Sequence, residues 1–160
     1  MTPQQPTPPF IGSIALVRRF VNDAEQWLGV ENTDGGVFEL PQAARGKAET
    51  FRSCLDEALE TTLGLRRQAD YLISGLARAH YQAPVEWPGE IHPQWVIVEF
   101  FAVDLYGKKA AGIIDALSKV RWLSALELEK GSTTDRVPIC TRQLQLMNAA
   151  HVLPIVNTAF

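Results

Sequence analysis

The sequence predicts an α/β domain of the α+β kind, a mixed β-sheet flanked by helices. Short runs of β-branched and aromatic residues, each closed by turn formers, recur along the chain. Between them lie stretches whose apolar residues repeat at helical spacings of three and four. Strands and helices interleaved in this way bury their apolar surfaces by stacking helices on a sheet. With 160 residues, 46% of them apolar and 21% charged, the chain has the length and mixture of one globular domain.

The opening MTPQQPTPP is rich in proline, which removes backbone donors and favours extended chain. Residues 1–9 therefore read as a tail or arm, residues 10–153 as the domain and residues 154–160 as a C-terminal tail. From Phe10, the residues Ile11, Ile14, Ala15, Leu16 and Val17 form a buried strand bounded by Arg18-Arg19. After the turn former Asn22-Asp23, Trp27 to Val30 give a second strand. A turn from Asn32 to Gly36 leads into Val37 to Leu40, a strand that ends at Pro41.

A loop from Gln42 to Lys47 precedes a helix from about Glu49 to Leu63, in which Phe51, Cys54, Leu55, Ala58, Leu59 and Thr62 share a face. Gly64 stops it. Tyr71 to Tyr81 is strand-like, and Ala83 to Pro93 is a loop. Trp95 to Val103 is the strongest strand signal and belongs at the centre of the sheet. Val120 to Leu123 is a short strand, Ser124 caps a helix over Ala125 to Glu129, and a final helix covers about Thr134 to Ala149 with Pro138 near its first turns.

Net charge is −3 and the pI is near 5.6, so no global positive field gathers phosphate backbones and nucleic acid polymers are not expected partners. Cys54 and Cys140 lie far apart, and a reduced, packed thiol is the reading for Cys54. No apolar run is long enough for a membrane span, and the N-terminus is neither basic nor apolar, which points to the cytoplasm.

The segment from Ala43 to Leu65 resembles the box of the Nudix hydrolases. That box runs Gly, five residues, Glu, seven residues, Arg-Glu-hydrophobic, one residue, Glu-Glu, one residue, Gly-hydrophobic. Glu49, Leu59, Gly64 and Leu65 agree with it without a gap, and Leu40-Pro41 matches the Leu-Pro that commonly enters it. Trp122-Leu123 with Ala125, Leu126 and Glu127 is similar to the Trp-Leu and short helix that members carry near the C-terminal end. The resemblance implies a Nudix-like α/β/α sandwich spanning about Phe10 to Ala149.

It also implies glutamates that hold Mg²⁺ or Mn²⁺ to activate water on a nucleoside diphosphate derivative. Here those glutamates fall on Ala58, Thr61 and Thr62, the opening glycine on Ala43 and the arginine on Glu57. Alanine and threonine offer no anionic oxygen to a hard cation. If the acids are displaced rather than lost, Glu57 and Glu60 become the catalytic candidates, and Glu49, Glu57 and Glu60 the metal ligands. Otherwise they form a solvated acidic face, and Glu49 caps the helix start.

Three further residues are candidate ligand contacts. Glu39 and Glu99 are carboxylates with apolar flanks; Glu99 fits either a general base or ligand contact, or an outward-facing or paired glutamate. Trp87, in a loop with Glu86 and Glu90, reads as a contact residue rather than core. The expected function is a non-catalytic module that binds a nucleotide-type small molecule or a protein partner, with no cofactor. The alternatives are an active metal-dependent hydrolase, or an association unit such as a homodimer.

Overall fold

The computed structural model describes residues 7–32 and 36–154; the first part of the proline-rich tail, the tip of the Asn32 to Gly36 turn and most of the C-terminal tail lie outside it. Its chain order is β1 (Phe10–Val21), β2 (Ala24–Asn32), β3 (Val37–Glu39), β4 (Gln42–Ala44), α1 (Cys54–Leu63), β5 (Tyr71–Ile73), β6 (Ala79–Val85), β7 (Gln94–Leu105), α2 (Lys108–Asp115), β8 (Val120–Leu123), α3 (Ala125–Lys130) and α4 (Thr141–Ala149). The eight strands form one mixed sheet in the order β3-β2-β1-β7-β5, with β4 on β1, β6 on β7 and β8 on β2. The α+β class with flanking helices is therefore correct.

The centre is the parallel pair β1 and β7, in register from Phe10 opposite Val96 to Arg18 opposite Asp104. Alternation then divides the core between two faces. Ile14, Leu16, Val96, Val98 and Phe100 meet Leu128 of α3 and Leu146 and Met147 of α4. Ala15, Val17, Phe101 and Val103 meet Leu55, Leu59 and Leu63 of α1 and Ile114 of α2. Asn22 and Asp23, at φ 51° and 64°, make the left-handed two-residue turn that suits a twisted hairpin.

Several boundaries differ from expectation, each for a local reason. The α1 helix begins at Cys54 rather than near Glu49: Thr50 and Ser53 exchange side-chain-to-backbone hydrogen bonds of 2.8 and 2.9 Å, and the Cys54 N–H donates to the Thr50 carbonyl at 3.1 Å, so the first helical turn is set from Thr50 onward. Glu49 does not cap that helix: its carboxylate accepts from the Gly46 N–H at 2.8 Å. The predicted strand from Tyr71 to Tyr81 divides into β5 and β6, and β6 runs on through Pro84 to Val85. Proline is tolerated there because, among the described residues, β6 pairs with β7 alone.

Residues 42–44 are a strand, not a loop. They pair with Gly12, Ser13 and Ile14 of β1, so closely that a Cβ on Gly12 would lie 2.1 Å from the Ala43 carbonyl oxygen. The last helix starts at Thr141, not Thr134. Pro138 lies in an extended segment whose carbonyl accepts from the Phe38 N–H at 3.0 Å, while the Cys140 N–H donates to the Phe38 carbonyl at 2.8 Å. The α2 helix had no counterpart in the sequence reading. Ser124, in contrast, forms the predicted cap as a full capping box with Glu127.

Candidate functional site

Two cavities flank β4 and meet at Gln42, which lines both. The first, of about 280 Å³, lies over the box: Gln42, Ala43 and Ala44 of β4 face Glu49 and the α1 residues Cys54, Glu57, Ala58, Thr61 and Thr62. Because positions three and four apart share a helix face, α1 presents Glu57, Ala58, Thr61 and Thr62 together, with Leu55, Leu59 and Leu63 turned to the core. The structure thus brings Glu49 and Glu57 to one cavity. Glu60 is exposed and does not line it.

The polar groups of this cavity are partly committed. Glu49 holds the Gly46 N–H, and the Thr61 hydroxyl donates to the Glu57 carbonyl at 2.8 Å. Cys54 is a free thiol in contact distance of the Phe51 carbonyl (3.1 Å), and burial pushes its pKa up. Asp56, the other acid of the α1 cluster, accepts the Tyr71 hydroxyl and pairs with Arg67 at 3.6 Å. Among the described residues, no group of three or more His, Cys, Asp or Glu side chains is placed to hold a metal ion.

The second cavity, of about 300 Å³, lies beside α4 and is lined by Phe10, Glu39, Gln42, Trp87, Gln94, Val96, Cys140, Arg142, Gln143 and Leu146. Glu39 and Trp87, distant in sequence, therefore meet. Trp87 is only 5% exposed and belongs to the core cluster, which corrects the expectation of a loop residue outside the core. Its ring N–H donates to Gln94 Oε1 at 2.8 Å, and the Arg142 guanidinium lies 5.0 Å from its ring. Gln143 is 2% exposed and clamps β3 to α4, accepting the Leu40 N–H at 2.7 Å and donating to the Leu40 carbonyl at 2.9 Å. Burial raises the Glu39 pKa.

Glu99 belongs to neither cavity. It lies across β7 from Ser13 and His80, and its carboxylate meets His80 Nδ1 at 3.1 Å, the paired alternative of its two readings. Sequence reasoning missed Gln42, Gln143 and Arg142. Phe38 and Leu40 are buried and Gln42 is exposed just past Pro41, a pattern too short to distinguish from a loop, and the pairing of Gln143 with Leu40 joins residues 103 apart.

No protein-family model and no curated protein sequence matches the chain. Solved structures do. NrtR of Shewanella oneidensis superposes with a TM-score of 0.60 at 13% identity, over 88% of this chain and 61% of that one. The NUDIX domain of the same NrtR, complexed with ADP ribose, gives 0.55 at 12% identity, over 89% and 86%. The chain has the Nudix fold. A Nudix hydrolase of M. smegmatis, RenU, agrees at 0.53 and 16% identity, over 88% and 86%. The chain spans about three fifths of the length of that NrtR chain, 61%. α1 is the helix of the segment whose sequence resembles the Nudix box, and its cavity-facing residues are Glu57, Ala58, Thr61 and Thr62. No helix among the described residues is long and apolar enough to cross a membrane.

Proposed function

We propose that this chain is a nucleotide-binding module on the Nudix fold that does not carry out metal-dependent hydrolysis. The observation that carries this reading is the cavity in which Glu39 and Trp87 meet and which adjoins the box cavity at Gln42. Phe10, Val96, Leu146 and the Trp87 ring supply apolar walls, and a few fixed polar groups supply orientation, the usual composition of a small-molecule site. A base held there directs its phosphates past Gln42 toward α1.

At α1 the donor set does not suit Mg²⁺ or Mn²⁺. Such a cation needs several oxygen ligands in near-octahedral geometry. Ala58 has none, Thr61 gives its hydroxyl hydrogen to the helix backbone, and Glu49 is engaged by Gly46. The co-crystallised ADP ribose belongs to the NrtR domain; for this chain it supports the ligand class, a nucleotide-type small molecule. A protein partner or a second copy is the competing binding role.

Isothermal titration with nucleoside diphosphate derivatives, ADP ribose among them, tests the reading together with phosphate release in Mg²⁺ or Mn²⁺. Binding without added metal and no turnover is expected. Turnover that Glu57→Gln abolishes would favour the second reading, hydrolysis by displaced acids, for which the shared cavity of Glu49 and Glu57 speaks. Absence of any nucleotide binding, with dimers seen in light scattering, overturns both in favour of an association unit.

A further inference from the structure

We infer that the cavity beside α4 selects a base that presents two adjacent N–H donors, as guanine does, and that the Glu39 carboxylate makes the selection. The inference rests on the nucleotide-binding reading above and names the base.

Glu39 is the charged group lining the cavity without a partner among the described residues; the Gln42 amide N–H groups and the Cys140 thiol also lack one there, but both are neutral. The Trp87 ring N–H is spent on Gln94 Oε1, and the Gln94 amide donates to the Pro8 carbonyl, each at 2.8 Å. The Gln143 amide donates to the Leu40 carbonyl and to Gln42 Oε1, each at 2.9 Å, and accepts the Leu40 N–H. Arg142 donates to Glu90 at 3.1 Å and stacks on Trp87. The Glu39 carboxylate, half-buried at the end of β3, has no hydrogen-bond or ion-pair partner among the described residues. A carboxylate that is partly desolvated and unpaired raises the energy of the empty site, and a ligand that supplies donors recovers it. The upward shift of its pKa reflects the same burial.

An ionised carboxylate only accepts hydrogen bonds. Guanine offers N1–H and N2–H side by side, which two carboxylate oxygens receive as parallel, charge-assisted bonds. Adenine offers one amino N–H beside the N1 lone pair, which a carboxylate oxygen repels. Hypoxanthine offers N1–H alone. The expected order of affinity is therefore GMP, then IMP, then AMP.

Isothermal titration with these three monophosphates tests it. GMP is expected to bind about tenfold or more tighter than AMP. Glu39→Gln replaces two acceptors by one acceptor and one donor, which complements adenine, so its preference is expected to reverse toward AMP; AMP binding by the variant also shows that it is folded. Equal affinities, or tighter AMP, in the unaltered chain overturn the base selection and leave nucleotide binding standing. A GMP preference that survives Glu39→Gln overturns the role of Glu39. Should that variant not fold, the GMP, IMP and AMP order in the unaltered chain decides alone. Binding of none of the three removes the inference together with the reading it rests on.

Discussion

The α1 face and the α4 face of the sheet are both closed by leucine-bearing helices, yet the cavities at their edges differ in what their polar groups are free to do. On the α1 side, the core leucines Leu55, Leu59 and Leu63 are fully buried, while the outward positions hold Glu57, Ala58, Thr61 and Thr62. The helix keeps its shape, and of these outward positions only Glu57 carries a carboxylate. On the α4 side, a buried ring, three glutamines and one carboxylate without a partner among the described residues line a slot of similar size. A helix that packs well needs only its inward stripe to be apolar, so scaffold and site vary independently.

Substitutions on the two faces sharpen that contrast. Trp87→Ala empties a buried ring site and is expected to cost about 3–5 kcal/mol, measured by urea unfolding. Leu59→Ala on the other face is expected to cost about 2–5 kcal/mol. Only Trp87→Ala should abolish nucleotide binding below the unfolding transition; equal loss in Leu59→Ala would break the separation of the faces. Replacing Ala58, Thr61 and Thr62 together by glutamate is expected to create Mn²⁺ binding, detected as loss of the free Mn²⁺ resonance signal, because the three positions share the box cavity. If three acids there attract no metal, the cavity is not the counterpart of the family's metal site.

A smaller effect is expected at α3. Ser124→Ala removes the side-chain half of the capping box, whose bonds measure 3.1 Å each, and should cost about 1 kcal/mol in the same unfolding experiment. Glu127, 6% exposed, carries a lowered pKa despite opposing desolvation, because the Ser124 and Thr134 N–H groups and Arg121 all favour its charged form. Its folded pKa lies below its unfolded one, so its contribution is complete above the ordinary carboxylate range and is lost as pH falls through the folded value. Unfolding midpoints should therefore fall on acidification more steeply in the unaltered chain than in Glu127→Gln. The smallest change is expected for Thr61→Ala with Thr62→Ala. Both side chains are exposed, and stability should stay within about 0.5 kcal/mol.

The readable and unreadable parts of the sequence separate by range. Patterns confined to one element were legible: the β-branched run of β7, the apolar spacing of α1 with its Gly64 stop, and the Ser124 capping box, since each depends on neighbours within a few residues. The start of α1 is shifted from the expected Glu49 because the reciprocal bonds of Thr50 and Ser53 set its first turn, a cap without the Glu or Gln of the usual pattern. The strand at Gln42 to Ala44 was invisible, since three residues carry no period and owe their extension to β1. Glu39 has apolar flanks and Trp87 stands in a proline-containing loop, but nothing along the chain links them.

What the sequence by itself determined is the scaffold, a mixed sheet with helices, and the residue types that α1 carries outward, Glu57, Ala58, Thr61 and Thr62. What only the tertiary structure decided is which polar groups meet and which remain unpaired. Gln143 reaches back to Leu40, Gln94 takes the Trp87 N–H, and Glu39 is left facing the cavity without a partner among the described residues. Periodicity arises from burial against the nearest layer and survives in sequence, whereas hydrogen-bond partnership across a fold depends on strand order and register, which link residues too distant for any local pattern to record.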